Sequence, residues 1–377
     1  MAQRAKSLGF CRFLGGLLGV LCVSGPVFAQ NISDSNAKNR PVAGVSESLV
    51  KPRTDISPGM AGSFLSGRFA KQNRDLREAA RYLSETLAHD PNNEPLQLET
   101  MRMQLLAGEM EQATRLAHQL EKTQGSDPLV ASLLMLEAVK AGNTATAKAA
   151  VERGASGGLF GLIRPIMLQW LAMGEAEKKR TIDMRTIIEK AGFFAPFIHY
   201  QVALMHDVMG DARAAQQEYT KANIDPAVTP YRVVEAMANF NMRQGKWDEA
   251  QAVYDAYAKA NPQSSLIPDT LMRGEVPKPL VADSKQGLAE LFFTTASILF
   301  SEDATQDTFL YLRIALALRP DLPPAQLMLA NLYEQVGDYP QAIATYDAIP
   351  DSSVFYQRAQ VRAALNYEAL GKKDKAL

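Results

Sequence analysis

The chain has 377 residues, 47% hydrophobic and 21% charged, and its 40 basic against 41 acidic side chains leave a net charge of −1. That length can bury a sizeable core without disulfide support, and the balanced charge supplies no basic field of the kind nucleic acid requires, so no nucleic-acid partner is expected. Both cysteines, Cys11 and Cys22, sit close to the N-terminus, which leaves nothing after them to pair.

Residues 1–29 read as a secretory signal. Arg4, Lys6 and Arg12 come without an acid, "FLGGLLGVLCV" is a short apolar run, and Ser24, Gly25 and Pro26 break it before the small-x-small site Val27-Phe28-Ala29. The run is well short of the roughly 20 residues a membrane-crossing helix needs. Leu21 precedes Cys22 where a lipid-attachment site wants a small residue. The expectation is a protein exported to the periplasm, with no membrane span once the signal is cleaved. Residues 30–58 are polar, lack aromatic side chains and show no apolar period, so they read as a flexible linker.

From residue 59 onward, apolar side chains return every three or four positions, a helical period. A longer period overlies it: 34 residues separate Gly108 from Gly142, and again Gly337 from Gly371, with Gly174, Gly210 and Gly245 at similar steps between them. Each glycine falls between two helical stretches, where a helix ends on a positive φ. Five positions later stands a small residue, as at Ala113, Ala147, Ala215, Ala250 and Ala342. Seven positions before the glycine another recurs, at Ala203, Ala238, Ala330 and Ala364. Tyr219, Tyr254 and Tyr346 are the bulky neighbours in second helices, Trp170, Tyr333 and Tyr367 in first helices, and prolines such as Pro91, Pro128, Pro226, Pro262 and Pro320 close many pairs. The period is broken once: residues 263–286 form an insert containing Pro268, Pro277 and Pro279, which either joins two arrays as a hinge or folds into the groove and occludes it. Residues 59–262 thus hold about six helix pairs, and residues 287–377 hold the remainder, the last one incomplete at Leu377.

These features resemble the tetratricopeptide repeat family, and in particular its exported bacterial members. The best copies are Arg232–Pro262 and Ala325–Pro350; the first copy has Arg74 where the turn glycine belongs, and the copy around Gly174 places "EKKRTID" where an apolar helix should start. The resemblance implies an all-α, right-handed superhelical solenoid of tandem helix-turn-helix units whose first helices line an inner groove. It also implies a non-catalytic scaffold that binds other proteins in cell-envelope, secretion or export assembly. The alternative is that the array is the recognition half of a larger enzyme whose catalytic domain lies beyond residue 377.

No constellation for catalysis emerges. Gly154–Gly158 fits G-x-S-x-G, but that motif works at a strand-to-helix turn, and the helical "TAKAAVER" precedes it here. His199 and His206 lie seven positions apart on one helix face, about 10.5 Å of rise and too far to share a zinc ion. No cofactor and no metal is expected. The partner is instead expected on the inner face of the first helices, where residues three or four apart line up. That reasoning selects Arg68, Lys71, Tyr200, Asp207, Glu235, Asn239, Arg243, Phe293, Phe300, Asn331 and Glu334. Asn239 and Arg243 resemble half of the carboxylate clamp some family members carry, without its lysines. The earlier first helices present Leu98, Leu105, Leu136, Leu168 and Leu171 instead. Two phenylalanine-rich stretches, Gly192–Tyr200 and Leu291–Phe300, are mostly core, with some side chains left over for function.

Overall fold

The computed structural model describes residues 59–174, 183–262, 266–302 and 304–376. The expected signal (1–29), the linker (30–58), residues 175–182 with most of "EKKRTID", the insert's first residues (263–265), residue 303 and residue 377 lie outside the described residues. All regular structure among the described residues is helical. In chain order the helices are α1 (Met60–Gln72), α2 (Leu76–His89), α3 (Glu94–Ala107), α4 (Met110–Gln124), α5 (Pro128–Lys140), α6 (Thr144–Arg153) and α7 (Gly158–Met173). There follow α8 (Arg185–Ala191), a 3-10 turn at Gly192–Phe194, α9 (Ala195–Met209), α10 (Ala212–Ala222), α11 (Tyr231–Arg243) and α12 (Trp247–Ala260). The last are α13 (Asp269–Arg273), α14 (Ser284–Ser301), α15 (Thr305–Leu318), α16 (Pro323–Gln335), α17 (Tyr339–Asp347), α18 (Tyr356–Ala369) and α19 (Lys373–Ala376).

The helices pack as consecutive hairpins: α1 with α2, α3 with α4, α5 with α6, α9 with α10, α11 with α12, α14 with α15 and α16 with α17; the first three rest one on the next, as do α9–α10 on α11–α12 and α14–α15 on α16–α17. The repeating small residues sit where the helices of a pair approach: Ala113, Ala147, Ala215, Ala250 and Ala342 are fully buried. Gly108, Gly142, Gly210, Gly245, Gly337 and Gly371 all take the left-handed conformation at the turn. Arg74 takes it too, at φ 61°, with the same pair of backbone bonds, from Arg74 N to Lys71 O and from Asp75 N to Ala70 O. The repeat geometry therefore overrides side-chain preference there. Gly174 does not follow the pattern: its φ is −73°, and what it supplies is space, since a Cβ would lie 2.7 Å from Ser284 Oγ.

The hairpins do not leave one open groove. The α14–α15 hairpin packs against the first helices of earlier pairs, α14 on α7 and α9, α15 on α3 and α5. This explains the apolar inner face of the middle repeats, because Leu105, Leu136 and Leu171 are buried by the chain itself. Nearly all of α5 is buried, from Leu129 to Leu136, as expected for a helix covered on every side. The contact is close-fitting. A Cβ on Gly287 would lie 2.3 Å from the Trp170 ring, and the Arg313 guanidinium sits against Gly108.

Buried polar groups lock α14 to its neighbours. Glu290 is fully buried and receives both prongs of Arg232, at 2.9 and 2.6 Å, and the Tyr200 hydroxyl at 2.9 Å. Burial alone would push the Glu290 carboxyl up; Arg232 and the Tyr200 hydroxyl outweigh it and hold it below its ordinary value. Trp170 donates to Gln201, which donates to Thr294. The described part of the insert is tied to α11 and to the end of α15: Asn239 donates to the Lys278 carbonyl at 2.9 Å, Tyr231 to the Leu266 carbonyl at 2.8 Å, and Arg319 to the Leu280 carbonyl at 2.6 Å. Of the two readings of this segment, the described part follows the one in which it covers the inner face.

Candidate binding cavity

A concavity of about 710 Å³ lies between the α9–α10 and α11–α12 hairpins on one side and the α14–α15 and α16–α17 hairpins on the other. Its buried wall is formed by Tyr200 from α9, Tyr231 and Val233 from α11, Phe293 from α14 and Leu327 from α16. The 3-10 turn and start of α9 add Phe193, Phe194 and Phe197; the α10–α11 connection adds Ile224 and Val228; Leu266 of the insert and Phe355 before α18 complete it. Phe355 reaches across to stack edge-on against Tyr231 at 6.3 Å between ring centroids. Phe193 and Ile224 lie exposed at the rim. A mainly apolar hollow of this size with a few polar groups is the general form of a binding site.

Local sequence explains why these side chains converge. Gly192, at φ 51°, breaks the chain between α8 and the 3-10 turn and redirects three phenylalanines toward the space beside α14. Pro230 precedes α11 and Asp225 closes the turn before it, accepting from the Val228 and Thr229 amides through its carbonyl. On α14, Phe293, Ser297 and Phe300 fall three and four apart and share the face toward the cavity.

Five of the selected residues meet here: Tyr200, Glu235, Phe293, Phe300 and Asn331 all line the cavity. Tyr200 and Phe293 are almost wholly buried, so they shape the wall and present little surface. Burial, with the Glu290 charge beside it, pushes the Tyr200 hydroxyl well above its ordinary pKa. The other six lie elsewhere. Arg68 is exposed on α1 with its guanidinium 5.9 Å from the Phe64 ring, and Lys71 pairs with Glu99 at 2.9 Å. Asp207 and Arg243 form an ion pair, and Arg243 Nε donates to Asn239 Oδ1 at 3.0 Å, so the apparent half-clamp is closed internally beneath the insert. Glu334 accepts from Arg362 at 2.8 Å and from the Tyr346 hydroxyl at 2.9 Å. Helix phase places all six on the inner face, and phase cannot reveal that a distant segment packs over Asn239.

Residues that phase did not select supply much of the lining: Phe193, Phe194, Phe197, Ile224, Leu266, Ile298, Met328 and Phe355. The phenylalanine-rich stretches carried the signal for several of them. Ile224 and Phe355 lie in connections, where no period marks them. His199 packs on the second helix of its pair, with Nδ1 2.5 Å from Glu218 Oε2. The Gly154–Gly158 loop joins two helices, α6 and α7. Among the described residues no cluster of His, Cys, Asp and Glu could hold a metal ion, and no helix is long and apolar enough to cross a membrane.

The hairpin order, turn conformation and buried alanines point to one kind of repeat. Residues 70–135 and 299–376 match the tetratricopeptide repeat family model. The first stretch runs from the end of α1 into α5, and the second from the end of α14 to α19. The copy at Arg232–Pro262, read as one of the clearest in the sequence, lies outside both stretches, although α11 and α12 form its hairpin. No curated protein matches the chain. Among solved structures, MamA protein is 19% identical with a TM-score of 0.23, over 49% of this chain and 87% of that one. Naa15/Naa10 bound to HypK-THB is 14% identical with a TM-score of 0.32, over 84% of this chain and 57% of that one. The TPR2AB domain of yeast Sti1, solved as a pHSP90 complex, is 15% identical with a TM-score of 0.18, over 84% of this chain and 98% of that one.

Proposed function

We propose that this protein is a non-catalytic scaffold, exported to the periplasm, that holds a partner protein in cell-envelope, secretion or export assembly. The observation that carries the reading is the apolar cavity of about 710 Å³ among tetratricopeptide-type hairpins. Its wall makes no reactive constellation. Tyr200 and Arg232 are committed to Glu290, and Ser297 donates to its own helix, at Phe293 O. Such a surface offers area and shape, which is what association uses. The basic start, apolar run and small-residue site in residues 1–29 support export.

The test is affinity capture from the envelope fraction of the producing cells, comparing the natural chain with the cavity variants Ile298→Ser and Met328→Ser. Capture that survives both variants unchanged moves the binding surface elsewhere. Mass spectrometry of the secreted form should show an N-terminus at Gln30; an intact N-terminus in a protein found only in the cytoplasm refutes the export reading.

A further inference from the structure

We infer that the cavity receives a partner peptide whose bulky apolar side chains are flanked by lysine or arginine. The inference rests on the protein-binding reading above and specifies its ligand.

The charged residues of the lining are Asp225, Arg232 and Glu235. Arg232 makes a two-pronged bond to the buried Glu290 and a third contact, of 2.7 Å, to Glu235. Arg232 is therefore shared between Glu290 and Glu235, and with Asp225 the group holds three carboxylates against one guanidinium. The cavity keeps an acidic edge formed by exposed Asp225 and partly buried Glu235. No lysine lines it, and no arginine other than Arg232.

The threonine and serine hydroxyls of the wall and the Asn331 amide oxygen are already occupied. Thr229 donates to Asp225 O, Thr294 to Glu290 O, and Ser297 to Phe293 O, while the Asn331 side-chain oxygen accepts from Tyr346. A ligand that brings apolar groups leaves none of these unpaired. At the rim, Phe193 and Ile224 are exposed, so an entering apolar side chain removes surface from water on both partners. The volume is within the range of about 300–1,000 Å³ that suits compact ligands, so a few large side chains would fill it. Charge complementarity then sets the flanks. A basic neighbour meets Asp225 and Glu235, whereas an acidic one meets two like charges, of which Glu235 alone is paired, and that with an Arg232 already shared with Glu290.

The experiment uses the whole chain and three fluorescein-labelled peptides. The first has a Leu/Phe centre between lysines, the second has the same centre between glutamates, and the third keeps the lysines around a serine centre. Fluorescence anisotropy at low salt should rank the first above the second by about tenfold or more in affinity, since two carboxylates at a partly desolvated edge act together. The third should not bind. Asp225→Asn with Glu235→Gln should shrink the lysine–glutamate ratio to about threefold or less. Ile298→Ser and Met328→Ser should weaken the first peptide, with circular dichroism confirming helix content. Asp225→Asn alone, at an exposed position, serves if the double variant does not fold.

Equal binding of the lysine and glutamate peptides overturns the inference. So does binding of the serine-centred peptide as tightly as the first, or failure of every peptide. Dodecyltrimethylammonium binding where no peptide binds overturns it in favour of a cationic amphiphile. If the peptides fail while cellular capture still depends on Ile298 and Met328, the scaffold reading stands and only the ligand chemistry falls. If capture also ignores those residues, both fall.

Discussion

Gly287→Ala should destabilise the protein, although glycine-to-alanine changes inside helices ordinarily do the opposite. Gly287 lies within α14, where replacing glycine by alanine favours the helix by about 1 kcal/mol. Here the new Cβ would stand 2.3–2.4 Å from three atoms of the Trp170 ring. Carbon contacts are comfortable at about 3.5–4 Å, so α14 and the indole must separate by more than an ångström. Trp170 has little room to move: it is fully buried, and its Nε1 donates to Gln201 at 3.1 Å. Overpacking of this kind costs about 1–3 kcal/mol where the surroundings yield and more where they do not. With Trp170 held in place the cost falls at the upper end, about 3 kcal/mol, and the helix gain of about 1 kcal/mol leaves a net loss of about 2 kcal/mol. Urea unfolding followed by circular dichroism reads it as a lower midpoint, with exposed Lys285→Ala as the reference expected to stay within about 0.5 kcal/mol. Adding Trp170→Leu should recover part of the loss, a coupling that identifies the contact. A neutral or stabilising Gly287→Ala would mean that α14 does not press on α7 as described.

Arg74→Gly should stabilise by about 1 kcal/mol, because Arg74 holds the left-handed turn that glycine occupies without strain; an unchanged urea midpoint refutes this. Glu290→Gln should cost about 3 kcal/mol or more by leaving the Arg232 charge buried with a weaker partner, and thermal melting would register it. Glu290 also gives a pH dependence. Its carboxyl titrates lower in the folded than in the unfolded chain, so its contribution is complete above its ordinary value of 4.5 and is lost as pH falls through the depressed folded value. Glu290→Gln should therefore flatten the acid limb of the stability curve, and an identical limb in both proteins would refute the assignment. Asn239→Ala should loosen the insert from α11, seen as faster protease cleavage between residues 266 and 284; unchanged cleavage refutes a holding role for the Asn239–Lys278 bond.

The hairpins were legible because their signals are local. The glycine at each turn, the alanine five residues later and the 3.6-residue apolar period all act within a single repeat, and the buried Ala113, Ala215 and Ala342 bear them out. Arg74 shows the limit of the glycine rule, since neighbouring packing imposed the turn on a residue that resists it. The cavity was half legible. Helix phase found Tyr200, Glu235, Phe293, Phe300 and Asn331, which belong to regular helices. It misjudged how open the inner face is, because the residues that cover Asn239 and Leu136 come from 39 positions along the chain in one case and from a separate hairpin in the other. Excess apolarity was the available clue: α5 carries more buried surface than a helix with one wet side can use. Phe355 left no trace in any period, because it sits in a connection and acts by reaching back to Tyr231.

An array in which each unit touches only its neighbours can fray from either end, one unit at a time. The α14–α15 hairpin removes that freedom, because it bridges units that are far apart in sequence. Loss of α15 would strip cover from α3 and α5 as well as from α16, so damage at one place is felt at several. The chain should melt as one cooperative block, and shortening it through the middle should leave two insoluble remnants where an ordinary solenoid would leave two shorter ones.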